Sequence, residues 1–171
     1  MNIFINEFKR YKSLLEKTIA QISDEEFFKI VGDEGNSVAV ILKHLSGNLT
    51  SRFTDFLDSD GEKPWRNRDM EFDVSSMSKT RLMEDWNKAW SVLEEAVFNL
   101  NADDMNRIVT IRAVEFTVEE ALARSLAHFA YHVGQIVFMG KLFKGSKWQY
   151  LSIAPGKSND YNRNPTKEKG I

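Results

Sequence analysis

The stretch Ala127-His128-Phe129-Ala130-Tyr131-His132-Val133-Gly134-Gln135-Ile136 decides how this chain is read. Phe129, Val133 and Ile136 recur at three- and four-residue intervals, the period of an amphipathic helix. His128 and His132 then stand on one face, one turn apart, with Cβ atoms about 5–6 Å from each other. Two imidazoles at that separation reach a single metal ion. The chain holds 3 histidines in all, and the third, His44, also lies in a strong helical pattern. The expectation is a three-histidine metal site built between two helices of a bundle.

Outward from that stretch, the apolar residues Ala121, Leu122, Leu126, Met139 and Leu142 extend the helix over about 118–143. Thr117-Val118-Glu119-Glu120 opens it as a capping box, a hydroxyl for the N3 amide and a carboxylate reaching back. Before it, residues 107–116 are rich in β-branched side chains and predict a small hairpin around Arg112-Ala113, although the Asn-Gly turn signal is missing. A third long helix is predicted over 79–100, capped by Ser78, with Leu82, Trp86, Trp90, Leu93 and Val97 in the core. Helix 2 is predicted from Ser37 to about Leu57, and helix 1 over 2–22. Ser23-Asp24-Glu25-Glu26 is a second capping box, opening a short turn that carries Phe27 and Phe28.

Between helices 2 and 3 lies a connection of about twenty residues, 58–78, a length uncommon in a compact domain and often functional. Trp65 sits there among polar and basic residues. After Lys144 the chain carries Trp148, Tyr150, Leu151 and Ile153 and is expected to fold back over the helices. One domain over 1–160 is expected, followed by a polar tail at 161–171. The fold class expected is all-α: a four-helix bundle with a long helix 2–3 loop and a small β-hairpin before helix 4.

Charge and composition exclude several classes of function. With 42% hydrophobic residues, 28% charged residues and a net charge of −2, the chain leaves no basic footprint for nucleic acid. It has no cysteine, so disulfides, thiolate ligands and a cysteine nucleophile are excluded. Any thiol chemistry needs a thiol on a co-substrate. The N-terminus has no signal-like apolar core, and no window has the length of a membrane span. A cytoplasmic location is the expectation.

Three imidazoles suit a divalent ion, zinc or nickel above all, and leave a coordination position for water or substrate. No glutamate follows His128, so the His-Glu-x-x-His peptidase motif is not met. The competing reading is an ordinary polar or packing histidine at each position. Asn48 and Gln135 lie one turn from ligand candidates and are positioned to orient substrate, or are simply polar residues at a core edge. Trp65, Arg66 and Arg68 are candidates for holding an anionic substrate over the site, against a solvated loop with one anchoring tryptophan.

Lys43-His44-Leu45 with Asn48, the loop Asp60-Gly61-Glu62-Lys63-Pro64-Trp65-Arg66-Asn67-Arg68-Asp69, and His128-x-x-x-His132-x-Gly134-Gln135-Ile136 resemble the DinB-like (YfiT-like) superfamily of metalloenzymes. Within it they look like a bacterial branch of unassigned function. The resemblance runs to about residue 160. It implies an up-and-down four-helix bundle, usually a homodimer, with a divalent metal on His44, His128 and His132 at one end of a cleft. Characterised relatives include transferases and isomerases that use bacillithiol, mycothiol or glutathione. The absence of cysteine fits a co-substrate thiol, and equally no thiol chemistry at all. Two functional readings follow. One is a metal-dependent enzyme acting on a small molecule, transferase-like or hydrolase-like, that activates water or a thiol. The other is a non-catalytic metal-binding or stress-response helical dimer.

Overall fold

The computed structural model describes residues 2–165. Among them are six helices and one two-stranded antiparallel sheet: α1 (Asn2–Ile19), α2 (Asp24–Phe28), α3 (Val38–Phe53), α4 (Lys79–Phe98), β1 (Ile108–Ile111), β2 (Val114–Thr117), α5 (Val118–Lys144) and α6 (Ser158–Asn162). The far end of the expected polar tail, from residue 166 on, lies outside the described residues. No helix among them is long and apolar enough to cross a membrane.

The helices α2, α3, α4 and α5 each start where a side chain satisfies free amides. The Ser37, Ser78 and Thr117 hydroxyls accept from the amides of Val40, Arg81 and Glu120. Both predicted capping boxes form, at Ser23–Glu26 and Thr117–Glu120. α1 runs along α5, and α3 along α4. α5, 27 residues long, spans about 40 Å.

Phe129 of α5 is where the long helices meet. Its ring lies 5.8 Å from Phe8 of α1 and 5.9 and 6.5 Å from Trp86 and Trp90 of α4, and Phe8 in turn meets Phe53 of α3 edge-on at 6.2 Å. The predicted core residues Leu82, Trp86, Trp90, Leu93 and Val97 are all buried. Gly140 lets α5 approach α1 and the returning tail: a Cβ there would stand 2.4 Å from Thr18 Cγ2 and 3.2 Å from Trp148. Trp148 is buried, and Gln21 of the α1 end exchanges two hydrogen bonds with the backbone of Gln149.

The long connection is more ordered than its composition suggests. α3 ends at Phe53, short of the predicted Leu57, because Thr54 is extended and Asp55 has φ of 45°. The chain then folds back over α3. The Ser51 hydroxyl donates to the Gly61 carbonyl and accepts from the Lys63 amide, and Lys63 is itself buried. A single 3-10 turn, Asp69–Phe72, lies across α3.

The hairpin is present without its expected turn residues. Arg112 and Ala113 both adopt left-handed backbone, φ 54° and 59°, at a cost of about 1–2 kcal/mol per residue. Asp60 compensates from the connection: its carboxylate accepts from the amides of Arg112 and Ala113 at 2.9 and 2.8 Å. Burial raises the Asp60 pKa, but these amides and that of Glu62 outweigh it and hold the carboxyl well below its ordinary value.

Candidate metal centre

Two helices and the connection bring the site together. His44 comes from α3; His128 and His132 come from α5. Their ring nitrogens include one set lying all within 4.8 Å of one another. The Nε2 atoms of His44 and His128 are 3.3 Å apart. Nitrogens bound at about 2.1 Å to a tetrahedral ion stand roughly 3.4 Å from each other. The three imidazoles could therefore hold a metal ion.

The surroundings prepare two of these rings. His44 Nδ1 lies 2.8 Å from Glu71 Oε2, and His132 Nδ1 lies 2.7 Å from Gln135 Oε1. Both oxygens accept, so Nδ1 carries the proton in each ring and the Nε2 lone pair is left for a ligand. A carboxylate or amide behind a ligating histidine fixes its tautomer in this way. Burial, with the charges of His132 and His44, pushes His128 down to about 4. Burial also lowers His132, against the Gln135 hydrogen bond. Both rings are thus neutral near pH 7, the form that binds metal.

Glu71 is the residue that spacing did not reveal. It is buried, and Arg66 clamps it with two bonds, Nε to Oε1 at 2.7 Å and Nη2 to Oε2 at 3.0 Å. Burial raises the Glu71 pKa, but the hydrogen bonds from His44 and Arg66 and the Arg66 charge outweigh it, so the carboxylate stays ionised. Its neighbour Phe72 stacks on the His44 ring at 5.5 Å. Gly47 makes room for Glu71: a Cβ there would stand 2.3 Å from Glu71 Oε1. The only cue in the sequence is chemical. A ligating His44 needs an acceptor behind it, yet several acids crowd this connection and their spacing favours none.

A cavity of about 600 Å³ opens on His44 and His128. Asn48 and Ser125, both buried, line it beside the imidazoles. Of the candidates around the three histidines, Asn48, Arg66 and Arg68 lie at this cavity and Gln135 hydrogen-bonds His132. The Arg66 side chain is nearly fully buried and turned onto Glu71 and Glu62. Trp65 is 58% exposed and does not line the cavity. Arg52, Arg112 and Ser125 were not singled out by spacing. Arg52 and Ser125 share helix stripes with the histidines, which is a readable signal. Arg112 depends on the hairpin turn.

A family profile described as "Protein of unknown function (DUF1572)" matches residues 1–157. Comparison with curated proteins finds no match.

Proposed function

We propose that this chain, which belongs to the DUF1572 family, is a divalent-metal-dependent enzyme with an open three-histidine site acting on a small molecule. The observation that carries this reading is the convergence of His44, His128 and His132 beside a cavity, with Glu71 and Gln135 each behind a ligand. An ion held there supplies Lewis acidity that lowers the pKa of a coordinated water or thiol towards neutrality. The chain's own residues do the rest. Glu71 and Gln135 hold protons on the outer ring nitrogens; Arg66 keeps Glu71 charged and in place. Asn48 and Ser125 offer hydrogen bonds to whatever enters the cavity. No fourth histidine exists to close the site, which favours the catalytic over the structural reading. Hydrolase-like use of water and transferase-like use of a co-substrate thiol both suit it.

The DinB-like resemblance supports the same reading, and with it a four-helix bundle forming one domain over 1–160, located in the cytoplasm. It also implies a homodimer. Tyr131, Phe138 and Leu142 form an exposed apolar stripe on α5 that suits such a contact. Light scattering on the purified protein tests this: a monomer mass at micromolar concentration removes the dimer.

Elemental analysis of tag-free protein after zinc or nickel reconstitution tests the metal reading. We expect one ion per chain in the wild type and its loss in His128→Ala and in His132→Ala. Full affinity retained in either variant breaks the shared site.

A further inference from the structure

The same cavity has a marked charge. Five arginines wall it: Arg52 from α3, Arg66 and Arg68 from the connection, Arg112 from the hairpin turn and Arg124 from α5. Among the described residues, no carboxylate lines it. Two stand behind the wall. Glu71 is taken up by Arg66 and His44, and Glu62 Oε2 is shared by Arg52, Arg66 and Arg112 at 3.2, 3.3 and 3.2 Å. Arg68 and Arg124 have no acidic partner among the described residues; they lie against the Phe72 and Phe116 rings at 5.1 and 5.8 Å. Five guanidiniums against the Glu62 and Glu71 carboxylates leave an excess of positive charge around the space, with the Asp60 carboxylate engaged by the Arg112 and Ala113 amides.

This excess stands out in a chain whose net charge is −2. Burial pushes the Arg52 guanidinium below its ordinary value; Glu62 opposes this, and the Arg66 and Arg112 charges add to it. Like charges are therefore gathered here against their own repulsion. The shared Glu62 oxygen already shows that the arginines converge closely enough to hold one carboxylate oxygen between them. The left-handed turn that Asp60 stabilises places Arg112 at the cavity rim, where an easier turn residue, Gly, Asn or Asp, would carry no positive charge. A concave space of this volume takes a small molecule rather than a nucleic-acid strand.

We propose that this cavity binds the anionic head, a carboxylate or phosphate, of a small organic acid, with Arg52, Arg112 and Arg124 as its principal contacts. The planar guanidinium fork matches both groups. That the opposite end of this acid reacts at the three imidazoles rests on the metal-enzyme reading; the anion site itself does not.

Titration calorimetry on metal-free protein at low ionic strength tests it, with malate and inorganic phosphate as probes and dimethyl malate as the neutral control. Saturable one-to-one binding of at least one anion is expected, with no response to the ester. The double variant Arg112→Ala/Arg124→Ala, both side chains being exposed, is expected to weaken it by about tenfold or more while circular dichroism stays unchanged. Stronger malate binding assigns a carboxylate head, and stronger phosphate binding a phosphate head. No saturable binding of either anion, or unchanged affinity in the double variant, overturns the proposal. Metal content measured after zinc or nickel reconstitution of the same preparations separates the two readings. Anion binding in a protein that takes up no metal removes only the metal enzyme. Metal uptake without anion binding removes only the anion site.

Discussion

At the scale of single residues, the proposed metal site depends on protons held at named atoms. His44 can offer Nε2 to an ion because Glu71 accepts from Nδ1, and Glu71 can do so while buried because Arg66 supplies two hydrogen bonds. Glu71→Gln keeps the size of the side chain but removes the charge and leaves the buried Arg66 with only Glu62 as counter-ion. Its zinc affinity, measured by competition with a chromophoric chelator, is expected to fall about 10–100-fold. Wild-type affinity in this variant would show that Glu71 only fills space. The three histidines were legible from the sequence because helical spacing is local and the chain has no others. Glu71 was not. Asp58, Asp60, Glu62, Asp69, Glu71 and Asp73 all lie in the same connection, and periodicity does not apply to a segment without a regular element.

At the scale of elements, helices were read well where caps and apolar stripes agree. Both capping boxes and the Ser37 and Ser78 caps form as expected. The apolar pattern places the end of α3 too late, because Phe56 and Leu57 continue it after the backbone has left the helix at Thr54 and Asp55. Phe56 is buried all the same, so the apolar signal was real and its geometry was not helical. The Asp69–Phe72 turn packs on α3 where Gly47 leaves a gap. Gly47→Ala separates packing from propensity. In a helix the change favours stability by up to about 1 kcal/mol. The added Cβ, however, stands 2.3 Å from Glu71 Oε1 and must push the carboxylate off His44. We expect weaker metal binding, in the same direction as Glu71→Gln, with little loss of thermal stability. Metal affinity equal to wild type would mean that the turn shifts without disturbing His44.

At the scale of the whole molecule, burying neutral imidazoles makes folding depend on pH. His128 is held near pKa 4, below the ordinary 6.5 of an unfolded chain. Between those values the unfolded state binds more protons than the folded one, so stability rises with pH and is lost as pH falls through the window. His132 is shifted in the same direction and adds to the effect. Glu71 and Asp60, both depressed, act in a lower window: their contribution is present above the ordinary carboxylate range and is lost as pH drops below it. For metal-free protein, the thermal midpoint is expected to fall between pH 6.5 and 4.5, and to fall less in His128→Gln. A variant curve parallel to that of the wild type would sink the assignment to His128.

The sequence by itself determined the local features. The helical stripes, the caps and the histidine pair on one face are each set by spacing within a few residues, and the absence of cysteine by composition. It also determined that a hairpin follows α4, although only the structure shows Asp60 holding its left-handed turn from outside. Tertiary structure alone decided that His44 meets His128 across 84 positions of chain, that Glu71 stands behind His44 across 27, and that arginines from α3, the connection, the hairpin and α5 face one cavity. The physical reason is the range of the forces involved. Helix periodicity and capping act over one or two turns. Where a loop lands is set by distant partners, here Ser51, Gly47 and the hairpin amides, and no spacing within the loop encodes them.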